Sequence, residues 1–351
     1  MNISVIGIDL AKTIFHAHGV DNRGRALMTK RLKRSEVLEF IVQMPAGCLI
    51  AMEACGSAHY WGREFEKLGY KVKLIPPQFV KPYVKSNKND WRDAEAIAEA
   101  AGRPNMRFST VKSVRQQEIQ HTHRVRARIL RSQTALSNEI RGILSEYGIV
   151  ISCGRKALRE IPAIIEKSPK QITADGKCIV TELLNEYWIG EARLAKLDKD
   201  IEGQVKAHPV CKRLMTIPGV GPTTASAIVA ATPGAHMFKN GRQFSAWLGL
   251  VPKQLSTGGK PRLLGISKRG DAYIRQLLVH GARSVLKVAH KKKDRISTWA
   301  TKMKQTKGWN KAAVAMANKN ARIIWALMTS EQDFKPCFDT PKEPQECSQT
   351  C

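Results

Sequence analysis

The stretch Ile3-Ser4-Val5-Ile6-Gly7-Ile8-Asp9 is a short apolar run that ends in an acid, and the run CLIAME (48–53) ends in the same way at Glu53. Short apolar runs bounded by turn residues predict buried strands. Around these two runs, the first hundred residues alternate between strand and helix patterns. The patterns predict strands over 3–9, 14–20, 25–32 (edge-like), 48–53 and 71–75, and helices over 36–43 (capped by Ser35), 59–68 and 90–101.

Four acids stand out within this α/β segment. Asp9 and Glu53 end two strands, and neighbouring strands bring such ends to one edge of a sheet. Asp90 and Asp93 are three residues apart, so both carboxylates can share one helix face. Each has an ordinary alternative, because a strand-end aspartate often forms a turn and acids in a first helical turn complement the helix dipole.

Taken together, the four acids predict a metal site. Four carboxylates that converge on one sheet edge repel one another unless a cation lies between them, and Mg²⁺ or Mn²⁺ prefers such hard oxygen ligands. Paired divalent ions of this kind support phosphoryl transfer. The order of predicted elements is that of the ribonuclease H-like fold, and the order Asp, Glu, Asp, Asp matches its RuvC-like branch.

The charge balance predicts a polyanionic partner. Lys and Arg number 58 against 30 Asp and Glu, which gives a net charge of +28. Such an excess favours DNA or RNA, although a generic basic protein is an alternative. A membrane partner is not expected, because the sequence has no apolar run of about 18 residues. The eight cysteines show no CxxC spacing and the sequence starts with no secretion signal, so we expect free thiols in a reducing cytoplasm.

After the α/β segment, the sequence pattern indicates a region of long helices and then a mainly α-helical domain. Apolar stripes within 113–147 and 176–207 predict two long helices, which form either an antiparallel hairpin or an oligomer contact. We therefore expect an α/β domain over 1–112, a helical (coiled-coil) region over 113–207 and a mainly α domain over 208–330. The polar tail, 331–351, is expected to be disordered.

The motif IPGVGPTTA (217–225) resembles a helix-hairpin-helix turn. Its glycines let backbone amides at a helix start approach a phosphate, and an ordinary turn between core helices is the alternative. Between Lys253 and Lys293 there are eleven Lys or Arg and one acid, Asp271, which is predicted to cap a helix over 272–288. The expected nucleic-acid contacts are Gly219, Gly221, Thr223, Lys260, Arg262, Lys268, Arg269, Arg275 and Arg283.

Several motifs together resemble one protein family. They are GIDLAK (7–12), MEACGSAHYW (52–61), KNDWRDAEAIAEA (88–100), IPGVGPTTASAI (217–228) and the long run FSAWLGLVPKQLSTGGKPRLLGISKRGDAYIRQLLVHGAR (244–283). The sequence resembles the insertion-sequence transposases with a DEDD tetrad, the IS110 (one-hundred-and-ten) family, and is closest to its IS1111 (eleven-eleven) subgroup. The likeness covers about residues 1–330.

The resemblance implies roles for particular residues. Asp9, Glu53, Asp90 and Asp93 would be the catalytic metal ligands. Ser256, in the stretch LSTGGK (255–260) that reads as a loop, would be the nucleophile that attacks DNA, acting in its own subunit or in another. The resemblance also implies donor and target DNA, a structured guide (bridge) RNA, a dimer or tetramer, and a nucleoid-associated protein.

Three functional hypotheses follow. The first is a transposase or site-specific recombinase that uses the four acids and Ser256. The second is a structure-specific, Holliday-junction-type endonuclease in which the same acids direct hydrolysis and Ser256 takes no part. The third is a non-catalytic nucleic-acid-binding protein, in which none of the acids matters for activity.

Overall fold

The protein was analysed as a computed structural model, which describes residues 2–85, 89–167, 171–232, 234–330 and 332–336. The chain divides into two compact units, Met1–Gln117 and Glu118–Cys351. Within the described residues, no helix is both long and apolar enough to cross a membrane. The five cysteines in those residues (Cys48, Cys55, Cys153, Cys178 and Cys211) are free thiols.

The first unit is built on a mixed sheet of five strands. The strands are β1 (Val5–Asp9), β2 (Ile14–Val20), β3 (Ala26–Lys33), β4 (Leu49–Glu53) and β5 (Lys71–Ile75). Its helices are α1 (Val37–Val42), α2 (Ala58–Lys67), α3 (Pro77–Val80), α4 (Asp90–Ala101) and the start of α5 (Val114–Glu146). The strand order is β3-β2-β1-β4-β5, with β2 antiparallel to both of its neighbours and β1, β4 and β5 parallel.

Helices cover both faces of this sheet. Ile6, Ile8 and Met52 pack on one face with the buried side chains of α1 and α2. Ala51 and Ile75 point the opposite way and pack against α4. This alternation is the period-two pattern that a strand imposes on its side chains. The strands that carry Asp9 and Glu53 are therefore buried on both sides, and only their ends reach solvent.

The predicted cap at Ser35 is wrong. A single 3₁₀ turn, Arg34–Glu36, precedes α1, so the residue before the helix is Glu36. Glu36 reaches back and accepts a hydrogen bond from the backbone N–H of Lys33 at 2.8 Å. The predicted edge strand is correct in kind, since β3 lies at the end of the sheet and exposes Lys30, Arg31 and Lys33.

Where the structure describes it, the second unit is helical apart from one β-hairpin. It contains most of α5, then α6 (Arg155–Lys167), α7 (Ala174–Ala207), α8 (Pro209–Met215), α9 (Pro222–Ala231), α10 (Gly241–Trp247), β6 (Pro252–Thr257), β7 (Lys260–Ile266), α11 (Ala272–Val288), α12 (Arg295–Lys307) and α13 (Trp309–Ser330).

The two long helices, α5 and α7, form an antiparallel hairpin. Arg126 bonds Asp198, with Nε 2.6 Å from Oδ1, and Gln133 Nε2 donates to the carbonyl of Tyr187 at 2.6 Å. At the far end, Gly176 lies against the Tyr147 side chain. Partners on α7 thus run backwards as α5 runs forwards. Of the two arrangements predicted from the stripes, the structure shows the hairpin, with α6 packed into the same core.

A polar network is buried where α5, α9 and α11 meet. His123 on α5 is 3% exposed, and its ring nitrogens lie 3.1 Å from Tyr273 Oη and 3.1 Å from Ser226 Oγ. Burial lowers the pKa of His123 to about 4, and the Arg126 charge adds to this effect. The imidazole is therefore neutral at physiological pH and links three helices by hydrogen bonds.

The C-terminal helices share one core. Asp271 caps α11 as predicted, because Oδ1 accepts hydrogen bonds from the N–H groups of Tyr273 at 2.8 Å and Ile274 at 3.1 Å. Most of the predicted disordered tail lies outside the described residues. Its described part, 332–336, is attached to the body, because the N–H of Phe334 donates to Thr216 Oγ1 at 3.0 Å and its ring packs on the core.

Candidate active site and nucleic-acid interface

Three of the four predicted metal ligands meet at one end of β1. One carboxylate oxygen from each of Asp9, Asp90 and Asp93 lies within 4.8 Å of the other two. Asp9 is the last residue of β1, and the other two occupy the first turn of α4. Asp9 and Asp93 are half-buried and Asp90 is exposed, so the group opens to solvent on one side.

Gly7 is what lets α4 come so close to the strand. A Cβ built on Gly7 would overlap the carbonyl oxygen of Ala94 and the backbone nitrogen of Ala98. Gly7 and Asp9 are two residues apart, so they face the same side of the sheet. The bare backbone of Gly7 and the small side chains of α4 therefore set the distance between Asp9 and the helical aspartates.

Asn89, rather than either aspartate, makes the side-chain cap of α4. The N–H of Trp91 donates to Asn89 Oδ1 at 3.2 Å, and Asn89 has extended backbone angles typical of an N-cap. Asp90 and Asp93 are therefore not the residues that cap α4 by hydrogen bonds. Both still lie in its first turn, where the positive end of the helix dipole stabilises a negative charge.

Glu53 ends the strand next to Asp9. The last printed pair of the parallel β1–β4 register is Ile8 with Met52, which places Asp9 and Glu53 side by side at the same sheet edge. Burial raises the pKa of the Cys55 thiol, and the charges of Glu53 and Asp9 raise it further, so both carboxylates lie near this thiol. Glu53 is not within the 4.8 Å group of the three aspartates.

His16 and Trp91 flank the aspartates. His16 is the cross-strand partner of Asp9 and is 7% exposed. Its ring meets the edge of Trp91 with centroids 4.4 Å apart, and Trp91 is 37% exposed. A partly exposed aromatic ring on the first turn of α4 thus contacts the cross-strand partner of Asp9.

The arrangement of these donors fits a divalent cation. Three carboxylate oxygens on two rigid elements, within one ion's reach of one another, are hard ligands for Mg²⁺ or Mn²⁺. Without a cation their charges oppose one another, and α4 has to hold them together against that repulsion.

Ser256 lies on a strand and not in a loop, so that part of the prediction is wrong. The two glycines, Gly258 and Gly259, have φ of 57° and 74° and form a two-residue turn between β6 and β7. A turn with positive φ at both of its central residues has the same twist as the two strands of a hairpin. The residues on either side of the glycines can therefore pair as strands. Every residue of β6 is exposed, and Gln254 Nε2 donates a hydrogen bond to Ser256 Oγ at 2.7 Å.

The turn between α8 and α9 has a core side and an open side. Gly219 has φ of 83° and lies against the backbone of Gly281 on α11, and Asn320 Nδ2 donates to the carbonyl of Pro218 at 2.9 Å. These contacts are those of the ordinary turn between core helices. Gly221, by contrast, has open space beside it and sits at the start of α9, next to half-buried Thr223.

The basic residues predicted to contact nucleic acid differ in their surroundings. Lys260 and Arg262 are exposed on β7, and Lys268 and Arg269 are exposed just before α11. Arg275 is half-buried, and its Nη1 donates to the carbonyl of Leu248 at 3.0 Å, so it also fixes a turn. Exposed Arg283 lies 3.4 Å from Asn310 Oδ1. Their contacts with nucleic acid stay predictions.

Four residues that position these groups were missed at the level of sequence: Gly7, His16, Asn89 and Gln254. Two of them carried a readable signal. Asn immediately before a helix is a preferred N-cap, and a glycine inside a buried strand often marks a close backbone approach. His16 and Gln254 gave no such signal, because their importance depends on which residue lies across the strand.

Comparisons with known proteins identify the family of the chain. A family model for DEDD transposases of the IS110 group, described as "Transposase", matches residues 6–149. A second, described as "Transposase IS116/IS110/IS902 family", matches residues 211–297. The first match contains all four acids and the second contains Ser256.

Full-length relatives extend the match to almost the whole chain. A "Probable family 20 transposase" of Pseudomonas aeruginosa is 49% identical, over 96% of this chain and 100% of the relative. The "Transposase for insertion sequence element IS1111A" of Coxiella burnetii is 43% identical, over 95% of this chain and 92% of the relative. The "Transposase for insertion sequence element IS1328" of Yersinia enterocolitica is 37% identical, over 95% of this chain and 99% of the relative.

Proposed function

Since the chain belongs to the IS110 family of insertion-sequence transposases, we propose that it cuts and rejoins DNA with a metal-binding DEDD set and a serine nucleophile. Asp9, Asp90 and Asp93 hold the cation, and Glu53 joins them from the next strand. The observation that carries this proposal is the meeting of three carboxylates, from a strand end and a helix start 81 residues further on, within 4.8 Å.

In this proposal the first unit is a RuvC-like domain and its acids hold Mg²⁺ or Mn²⁺. When bound, the cation supplies positive charge to a phosphodiester at the moment when negative charge builds up on it. Gly7 and Asn89 keep the helical aspartates against Asp9.

Ser256 carries out the covalent step. Its Oγ gives up a proton and bonds to phosphorus, while one ester oxygen of the DNA strand leaves and takes up a proton. A hydroxyl of the second strand then displaces Ser256 in the reverse manner, so the phosphodiester is conserved through the exchange. Gln254 supports this role, because a donor at 2.7 Å from Oγ orients the hydroxyl and stabilises it as its proton leaves.

We also propose that sequence choice comes from a structured guide RNA and that the active form is a dimer or tetramer. The net charge of +28 supports a partner with many phosphates. Guide pairing needs a protein that contacts backbones rather than base edges, and the open start of α9 at Gly221 with exposed Lys260, Arg262, Lys268 and Arg269 suits that task. The protein then works on the bacterial nucleoid.

The deciding experiment traps the protein–DNA adduct. End-labelled DNA of the element junction is incubated with the protein, its co-purified RNA and Mg²⁺, and covalent complexes are resolved under denaturing conditions. We expect an adduct with the wild type, none with Ser256→Ala, and none with Asp90→Asn. Thr257→Ala, one residue along the same strand, is the matched control and should retain the adduct.

Three results would overturn parts of the proposal. Metal-dependent cleavage by Ser256→Ala without any adduct would favour the structure-specific endonuclease. Full strand exchange by Asp9→Asn and Asp90→Asn would remove the carboxylates from the mechanism and leave a nucleic-acid-binding protein. Recombination that is equally efficient after removal of all RNA would refute the guide.

A further inference from the structure

The second unit contains a large open groove that none of the predicted sites uses. It has a volume of about 1540 Å³ and is lined by α13, the start of α10, Trp299 of α12 and the hairpin strand β7. Its lining includes the cations Arg242, Lys311, Lys319 and Arg322. No Asp or Glu is found among the described residues that line it.

The cations of the groove act on one another. Burial lowers the pKa of Lys319, and the positive charges of Arg295 and Arg322 lower it further. Lys319 Nζ lies over the ring of Trp299, 4.3 Å from its centroid. Because these neighbouring positive charges repel one another, binding of an anion between them is favourable.

The floor of the groove is apolar and aromatic. Trp299 and Trp325 contribute indole rings, beside Ile323, Ala326 and Leu264. Trp325 is fixed in place, since its Nε1 donates to the carbonyls of Ala235 and Phe238, each at 3.1 Å. Lys319 covers one face of Trp299, and both indoles are partly buried against the core, so their exposed parts are what a ligand can contact. Partly exposed aromatic rings beside cations are typical of sites for unpaired nucleotides, because bases contact the rings while phosphates meet the cations.

The position of the groove connects it with Ser256. One wall is made by Leu263, Leu264, Gly265 and Ile266 of the hairpin that carries the serine. Leu263 pairs across the hairpin with Gln254, whose side chain bonds Ser256 Oγ. Ser256 itself does not line the groove, but Gln254 and Ser256 are two residues apart and share one face of β6. A strand that continues from the groove toward the hairpin turn can therefore run along the face that carries the hydroxyl.

We propose that this groove holds an unpaired segment of the DNA strand that Ser256 attacks. The inference rests on the proposed function for the choice of DNA over RNA, because only the attacked strand has to run along the hairpin. Duplex DNA fits poorly, since its bases are stacked and cannot reach the indole rings. An apolar protein segment leaves the four cations without partners.

Binding measurements test the groove without any catalysis. Fluorescence anisotropy is recorded in EDTA with a labelled DNA strand of roughly 20 nucleotides, the corresponding duplex, and an RNA strand of the same sequence. The groove variant is Lys311→Ala with Arg322→Ala, both exposed lining residues. The matched control is Lys287→Ala with Lys307→Ala, which removes two exposed lysines that do not line the groove.

We expect the groove variant to bind the DNA strand at least about tenfold more weakly in low salt, with a salt slope reduced by about 1.4 for the two lost cations. Its affinity for the duplex should fall less than about threefold, as should the control's affinity for every probe. Ultraviolet cross-linking of strands that contain 5-bromodeoxyuridine should mark peptides with Trp299 or Trp325.

Other outcomes overturn the inference. Equal losses for strand and duplex, or equal losses in the groove variant and the control, would mean that only overall charge matters. A larger loss for RNA would assign the groove to RNA, and a change in oligomeric state would assign it to a second copy. Because Ser256 and the acids are intact and no metal is present, these results stand even if the covalent mechanism fails.

Discussion

Replacing Gly7 with alanine tests whether α4 is held against β1 by the missing side chain. The new methyl group would overlap the backbone at Ala94 and Ala98, and backbone atoms cannot move aside as a flexible side chain can. Overpacking of a well-packed core costs about 1–3 kcal/mol, and we expect a value near the upper end. The helix must shift away from Asp9, so the affinity for Mg²⁺ should fall as well.

The control is Gly203→Ala, which lies on α7 with open space around its Cβ position. A glycine inside a helix is unfavourable by roughly 0.5–1 kcal/mol relative to alanine, so this variant should gain stability. Urea unfolding measures both variants, and hydrogen exchange of the α4 amides reports the first unit separately. Unchanged exchange in α4, or an unfolding free energy of Gly7→Ala within a few tenths of a kcal/mol of wild type, would refute the reasoning.

Three more predictions concern charge and buried polarity. Asp93→Asn should raise the melting temperature in EDTA, because it relieves carboxylate repulsion worth about a few tenths of a kcal/mol. It should also remove most of the increase in melting temperature that Mg²⁺ causes in the wild type, and thermal scans with and without the metal check both effects. His123 has a folded-state pKa of about 4, below its unfolded value, so the folded protein loses about 3 kcal/mol of stability as pH falls from about 6.5 to 4. Unfolding at a series of pH values should show a flatter slope for His123→Gln but not for exposed His280→Gln. A double-mutant cycle of Arg126→Ala and Asp198→Ala should give a coupling of about 0.5–1.5 kcal/mol, since Arg126 is 16% exposed and Asp198 is 41% exposed; a coupling near zero would contradict a role in joining α5 to α7.

Much of the first unit was predictable because its strands are short, apolar and buried on both faces. The strand with Asp9 and the helix from Asp90 to Ala101 were predicted with the correct limits or within two residues. The i, i+3 spacing placed Asp90 and Asp93 on one helix face, and the order of the predicted elements indicated that this helix meets the strand that ends at Asp9. That Glu53 stays outside the tight group did not follow, because side-chain reach depends on packing.

The second unit was harder to predict from its pattern. The two apolar stripes gave the long helices, but only contacts such as Gln133 with Tyr187 decide that they pair within the chain. We expected a loop at the glycines after Ser256, although Gly-Gly between two runs is also a signal for a two-residue hairpin turn. They instead make a tight turn whose mirror-image geometry lets exposed flanking residues pair as strands. The groove beside this hairpin had no sequence signal, because its lining comes from five separate elements, α10, β6, β7, α12 and α13.

The positive charges on the terminal strand β3 also affect how copies of the protein meet. A terminal strand offers backbone groups along its outer side to any other chain, and such edges promote aggregation. Lys30, Arg31 and Lys33 lie on this strand, and exposed Lys71 and Lys73 lie on the opposite terminal strand. Mutual repulsion between copies thus protects the sheet before any polyanion is bound. High salt or a bound nucleic acid screens that repulsion, so solubility and DNA binding in this protein depend on the same charges.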